Sequence, residues 1–294
     1  MPPESEATIR LLKEDDLKRV RFLLGLGIME QLATINNRGK PLKVDFSDFF
    51  DQNRKTKTAY IHPITLSIWI GLSSVFVTYM KWWPADNPSS SLLRFLSPAP
   101  AFAAVAVPIM FSFDWYQRDY FEKEVQEAIK GPDMTTPITH YNQSPASGFL
   151  VLSKEERVIG FIAIDATKSS TPSPTKNNNK LKKNETHEVA IIRHFFLDSL
   201  YRSTGVQEDL LNLAVSRAFT AKSAPLTDKV RIIDSDLQRY KRKAIGIVGF
   251  RRVREWDGEG PEEWSTGVFR RKFRWLEINR KEWEARQNKN KKEE

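Results

Sequence analysis

Two stretches of this chain carry no Asp, Glu, Lys or Arg: the twenty residues Ile61–Met80 (IHPITLSIWIGLSSVFVTYM) and the nineteen residues Phe95–Phe113 (FLSPAPAFAAVAVPIMFSF). A bilayer core of about 30 Å is crossed by roughly 20 helical residues, so each is long enough to span. Two buried core helices would have the same length, and three features argue for the bilayer instead. Trp82 and Trp83 end the first stretch, and Trp115 and Tyr116 end the second, where an interfacial aromatic belt belongs. The connection Lys81–Arg94 is short and holds the turn residues Pro84, Asp86, Asn87, Pro88 and Ser89. Pro98, Pro100 and Pro108 would damage a soluble helix but are tolerated in membrane helices. The first stretch reads as a span; the second, rich in Ala and Pro, reads as a span or a bent, re-entrant segment.

Positive charge near the span ends sets the orientation. Arg54, Lys55 and Lys57 precede the first span, Arg118, Lys123 and Lys130 follow the second, and the connection has only Lys81 and Arg94. Both flanks are therefore expected in the cytosol. The first sixteen residues are polar and acidic, so no cleavable signal peptide is expected. The sequons at Asn142 and Asn184 would face the cytosol and stay unmodified. Composition alone hides all this. A mean hydropathy of −0.48 and a formal charge of +9 describe a soluble basic protein. The absence of Cys excludes disulfides, thiolate metal sites and a Cys nucleophile, and no metal site is expected.

The flanks read as one α/β domain. Ala7–Leu12 is a strand; Glu14–Leu24 is a helix whose first turn holds Glu14, Asp15 and Asp16, where the dipole favours acids. Asp45–Thr58 is helical and leads into the first span, and Asp114–Lys130 is a helix stopped by Gly131-Pro132. Gly148–Lys154 and Arg157–Ala166 are strands around Glu155-Glu156. The Ser-, Pro-, Asn- and Lys-rich segment 167–187 is a flexible loop. Glu188–Leu197 is a strand, Val206–Ala221 a helix, Lys229–Asp234 a strand, Ser235–Val248 a helix, and Phe250–Trp256 and Val268–Ile278 are strands. The organisation expected is 1–58 and 117–280 as two parts of one domain, 59–116 as an inserted hairpin, and 281–294 as a charged tail.

This order resembles the GNAT acyltransferase family. Ile9-Arg10 opening a strand, with Asp15-Asp16 starting the next helix, is similar to the family's first strand and helix. The run AIIRHFFLDSLYRSTGVQEDLLNLAVSRAF resembles its acyl-CoA motif, in which a strand ends, a loop Arg/Gln-x-x-Gly-x-Gly/Ala follows and a helix begins. Lys243-Ala244 and Gly249-Phe250 resemble its helix-to-strand junction. The resemblance implies an α/β (α+β) fold, a GNAT-like mixed central sheet flanked by helices, here interrupted by a two-helix transmembrane hairpin. It implies acetyl-CoA as cofactor, held by Phe196, Leu197, Arg202, Ser203, Thr204, Gly205, Val206 and Gln207. The logic of such a loop is anion binding by free backbone N–H groups at a helix N-terminus, with Gly permitting close approach.

The chain departs from the motif where charge matters. Gln207 stands where the family has Gly or Ala, and Glu208 and Asp209 follow at once. At about 5 Å and an effective dielectric near 20, each such charge opposes a phosphate charge by roughly 3 kcal/mol before screening. The family's Tyr acid, four residues before Gly-Phe, is Ile245 here; Tyr240 is five residues upstream of it, off that helix face. The candidate general bases are Glu188 at the start of the central strand and His194 on it. Both residues also suit an ordinary strand.

A second resemblance covers the hairpin too. Ile61-His62-Pro63-Ile64, Tyr201–Leu210 and Gly249-Phe250 are similar to the fungal packaging chaperones that release the inorganic phosphate transporter from the endoplasmic reticulum. That resemblance implies a non-catalytic protein that assists a polytopic transporter client. Small and polar positions such as Gly71, Ser73, Ser74, Ala101 and Ala104 would pack against the client or within the hairpin. Lys291 and Lys292, fourth and third from the C-terminus, resemble the dilysine retrieval signal read by coat proteins. The expected place is the endoplasmic reticulum membrane, both termini cytosolic. Basic clusters 241–243, 251–254 and 270–274 fit anionic lipid better than nucleic acid, which is not expected as a partner. Trp264, Trp275 and Trp283 read as core and edge packing.

Overall fold

The computed structural model describes residues 7–39, 63–83, 98–167, 186–222, 226–253, 261–266 and 271–293. The expected helix Asp45–Thr58, the inter-span connection 84–97, residues 168–185 and Asn184 lie outside them. The chain divides into two units, 1–28 with 125–294 and 29–124.

The first unit is built on one mixed sheet. Its strands are β1 (Thr8–Leu11), β2 (Gly148–Lys154), β3 (Arg157–Thr167), β4 (Thr186–Leu197), β5 (Lys229–Ser235), β6 (Arg251–Arg252), β7 (Glu263–Thr266) and β8 (Arg271–Asn279). They lie in the order β1-β2-β3-β4-β5-β8-β6, with β7 also on β8. All described pairings are antiparallel except β4 with β5. Apolar β-branched residues on both faces make β3 and β4 central strands.

One face carries the main core. Leu150, Ile162, Ile164, Ala190, Ile192 and Ile232 meet the buried stripe Leu210, Leu211, Ala214, Val215, Ala218 of α6 (Val206–Thr220). Ile245 and Val248 of α7 (Arg239–Val248) join them. α7 ends on Gly249 at φ +107, and Phe250 N–H returns to the Ile245 carbonyl at 3.1 Å, so the Gly-Phe junction is a glycine-ended helix cap. The other face carries an aromatic ladder, Tyr141–Phe149–Phe161–Phe196, with centroids 5.3 to 5.9 Å apart. Tyr141 comes from α5 (Pro137–Tyr141), which follows α4 (Pro132–Thr135). α1 (Leu17–Gly39) approaches this face so closely that a Cβ on Gly27 would sit 2.6 Å from Phe196 Cδ2.

Several boundaries differ from expectation. α1 runs fifteen residues past Leu24 because Gly25 and Gly27 serve close approach rather than termination. Glu14–Asp16 is a short 3-10 turn, and Asp16 takes both guanidinium nitrogens of Arg10, at 2.5 and 2.8 Å, tying β1 to α1. The expected tail is helical, α8 (Arg280–Glu293), docked through Trp283 on Phe219 at 5.6 Å. Strand 250–256 contracts to β6 in the described residues, strand 268–278 becomes β8, and β7, α4 and α5 are additions. Trp264 stacks on Phe273 at 5.3 Å and lies 6.2 Å from Trp275, an edge cluster as expected.

The second unit contains α2 (Pro63–Tyr79) and most of α3 (Ala99–Lys130). Of the two, α3 alone is long and apolar enough to cross a membrane; α2 has 17 residues. α3 joins the second apolar stretch and the helix expected at 114–130 into one element of 32 residues. Pro100 falls in its tolerant first turn. Pro108 lies inside, where the Ser112 hydroxyl donates to the Pro108 carbonyl at 2.8 Å. α2 closes with Lys81 at φ +56, Lys81 N–H to Thr78 O, Trp82 N–H to Val77 O, and Trp82 edge-on to Phe76. Trp69 Nε1 donates to Phe102 O at 2.8 Å, and Ser73 and Val77, one and two turns on, are buried. Outward, Val107, Phe111 and Trp115 form an exposed apolar stripe on α3, 68–72% accessible.

Phe161 is fully buried between Phe149 and Phe196. Phe161→Ala is expected to lower unfolding free energy by about 3–5 kcal/mol, read as a reduced urea midpoint of the full chain.

Candidate functional site

The two parallel strands stay together only briefly. β4 and β5 pair from Val189↔Lys229 to Ile192↔Ile232, after which β4 pairs with β3 alone and β5 with β8 alone. At the parting β4 bulges: Ile192 opposes Ile164, His194 opposes Ala163, and Arg193 is the extra residue.

β4 then delivers the chain into the loop that the resemblance assigns to acyl-CoA. Asp198 caps a short turn, its Oδ1 accepting Leu200 N–H at 3.3 Å. Arg202 Nε donates to Leu197 O at 2.9 Å, and its guanidinium lies 3.8 Å from the centre of the Tyr240 ring. Thr204 Oγ donates to Tyr201 O at 2.7 Å. Gly205 adopts φ +83, the left-handed region that a glycine supplies without strain, and α6 starts at Val206.

The first turn of α6 carries a carboxylate of its own, although no side chain among the described residues caps its N–H groups. Gln207 is buried and donates to Glu208 Oε1 at 3.3 Å. Glu208 Oε2 is buried, meets no donor among the described residues, and would lie 3.7 Å from a Cβ on Gly205. A carboxylate therefore folds over the first turn of α6, where the dipole favours negative charge and where a diphosphate would have to enter. Asp209 is exposed.

Ser203 and Thr204 are exposed, Gly205 and Val206 half-buried, while Phe196 and Leu197 are core side chains, Leu197 contributing its carbonyl. Ile245 is buried in the main core, and Tyr240 lies against Arg202 at the loop. The two candidate bases are not brought together. Glu188 is exposed at the far end of β4, nine residues from Leu197, which is about 30 Å of extended strand. His194 stands at the bulge, with Nε2 2.6 Å from Asp133 Oδ2.

Around His194 lies a polar network that the sequence reading missed. Asp133 Oδ2 also accepts the Tyr141 hydroxyl at 3.1 Å. Buried Asp165 meets His140 Nε2 at 3.1 Å and Arg193 Nε at 2.8 Å through Oδ2, and the Thr167 N–H and hydroxyl through Oδ1. Burial pushes the Asp133 carboxyl up. The His194 hydrogen bond and charge, helped by Arg193 and Tyr141, outweigh it and hold the group down to about 2. Asp165 is lowered in the same way, against burial, by His140, Thr167 and Arg193. Burial beside two carboxylates pushes the Tyr141 phenol well above its usual range. One signal was visible: Asp165 sits inside the apolar run VIGFIAIDA, and a carboxylate in a central strand demands partners. Asp133, His140 and Tyr141 carried no such mark.

Elsewhere the basic clusters are partly committed, Arg242 and Arg274 both pairing with Asp234 at 3.0 and 2.9 Å. Among the described residues no His/Asp/Glu group has metal-site geometry.

No family model matches the chain, and no curated protein does. Solved structures similar to it are GNAT acetyltransferases at low identity. An N-acetyltransferase from Staphylococcus aureus Mu50 is 11% identical with a TM-score of 0.40, over 94% of this chain and 99% of that one. A GNAT-family acetyltransferase from Streptococcus pneumoniae is 12% identical with a TM-score of 0.36, over 50% and 74%. Arabidopsis thaliana NAA60, solved with acetyl-CoA, is 16% identical with a TM-score of 0.32, over 45% and 76%. The sheet itself fits the GNAT-like arrangement: a mixed α/β sheet flanked by helices, with the strand–loop–helix unit where the parallel pair parts.

The folded pKa of Asp133 lies below the roughly 3.9 of an unfolded carboxyl, so its contribution is present above about pH 4 and is lost as pH falls through 2. Asp133→Asn is expected to remove on the order of 2 kcal/mol at neutral pH and progressively less toward pH 2, in urea unfolding curves across that range.

Proposed function

We propose that this is an endoplasmic reticulum membrane protein whose GNAT-like domain is non-catalytic and which assists folding or exit of a polytopic transporter of the phosphate-transporter class. The observation that carries the non-catalytic part is the Glu208 carboxylate lying over Gly205 at the start of α6. An incoming diphosphate meets a negative charge beside the first-turn N–H groups, and Arg202 is already engaged by Leu197 O and Tyr240. Ile245, in the core, supplies no proton where the resemblance implies a Tyr acid.

The membrane part is supported by the length of α3, its exposed apolar stripe, and the aromatic residues at the ends of both apolar stretches. The client follows from the resemblance at Ile61–Ile64, Tyr201–Leu210 and Gly249-Phe250. Lys291 and Lys292 supply the address for coat proteins, and the basic surface favours membrane lipid.

One observation favours a second reading, an acetyl-CoA-dependent N-acetyltransferase acting on an amine at the cytosolic side. The His194–Asp133 pair stands where β4 and β5 part, and an imidazole oriented by a carboxylate can serve as a general base toward an amine.

Calorimetry of the purified full chain with acetyl-CoA separates the two. No binding heat is expected; micromolar binding that Gly205→Glu abolishes overturns the non-catalytic reading. Deleting the gene is expected to retain a phosphate transporter in the endoplasmic reticulum, scored by surface delivery of the tagged transporter; normal delivery refutes the client assignment.

A further inference from the structure

α6 and α8 leave an open cleft between them, of about 680 Å3, on the outer side of the first unit. Asp209, Asn212 and Leu213 line it from α6, and Trp283, Glu284 and Gln287 from α8. The spacing explains the alignment: i, i+3 and i+4 on one helix face i, i+1 and i+4 on the other. None of the lining residues is basic, although the chain as a whole carries +9. Asp209 and Glu284 are exposed, and neither has an ion pair among the described residues. Leu213 is 42% accessible, and the Trp283 indole N–H is buried without an acceptor among the described residues.

We propose that this cleft binds an extended, Lys- or Arg-bearing polypeptide segment, a cytosolic loop of the client. Three features match that occupant. Asp209 and Glu284, both exposed and without an ion pair among the described residues, offer a side-chain cation two carboxylates in a cleft with no basic lining residue. Leu213 and Trp283 offer an apolar platform for the aliphatic stem of Lys or Arg, with the indole face also attracting the charge. The amides of Asn212 and Gln287 carry both donors and acceptors, which an extended backbone can use. Cytosolic loops of polytopic membrane proteins are rich in Lys and Arg, so the cleft fits the chemistry of the surface such a client presents. The inference rests on the export reading and deepens it by naming where the client is held.

The test uses the full chain in phosphatidylcholine nanodiscs and fluorescence anisotropy of a labelled peptide of repeated Gly-Lys-Ser-Arg. A peptide of repeated Gly-Glu-Ser-Asp serves as the control. The basic peptide is expected to bind and the acidic one not. Asp209→Asn with Glu284→Lys, both at exposed helix positions, is expected to weaken binding by roughly tenfold or more. Leu213→Ala is expected to weaken it less. Failure of the wild-type chain to bind the basic peptide overturns the proposal, and so does equal binding by the double variant. Acetyl-CoA binding by the wild-type chain would instead sink the non-catalytic reading and leave the peptide result standing, so the two failures are distinguishable.

Discussion

The parallel pairing of β4 with β5 spans four residue pairs and then stops, and much of the first unit's organisation follows from that. A parallel pair needs a crossover, and α6 with its flanking loops is that crossover. Where the strands part, β4 bulges at Arg193, which shifts side-chain alternation by one residue and sends His194 toward the Asp133 side. The same parting frees the end of β4 to run into Asp198–Gly205 and to present the start of α6. Bulge, loop and helix N-terminus are consequences of one local break in pairing.

Charge decides what the loop can do. A left-handed glycine followed by a helix is the backbone of an anion site, and Gly205 and α6 keep that backbone. Glu208 then answers the helix dipole from within the chain, and Gln207 is buried beside it. The loop thus pairs the backbone form of an anion site with a carboxylate in the first turn of the helix that follows. From the same first turn of α6 onward, the α6–α8 cleft collects carboxylates and amides without ion pairs among the described residues, in contrast to the paired Asp133, Asp165 and Asp234.

Much of the sheet could be read ahead because local signals agreed. The runs GFLVLSK and RVIGFIAIDA have strand composition, and Gly249-Phe250 marks a helix end. Arg202–Gln207 lead consecutively into α6, the strand–loop–helix order that a local motif reads without tertiary information. The helix expected to end at Leu24 continues to Gly39, and Gly25 and Gly27 inside it are spacers against Val125 and Phe196. α8 reads as a charged tail because its anchors reach distant residues: Trp283 packs on Phe219, and Arg280 donates to the carbonyls of Phe219 and Thr227. The His194 network was invisible for the same reason: Asp133 lies 61 residues from His194, and His140 lies 25 from Asp165.

By itself the sequence determined the uncharged stretches, the strand and helix runs of the first unit, and the glycine loop ahead of α6. Each depends on residues within one turn or a few strand positions of one another, where sterics, hydropathy and period suffice. The tertiary structure decided where β4 leaves β5, which carboxylate lies over Gly205, how His194 and His140 find their aspartates, and that α8 completes an acidic cleft with α6. Those depend on side chains that burial forces together from distant parts of the chain, and burial is a property of the packed whole.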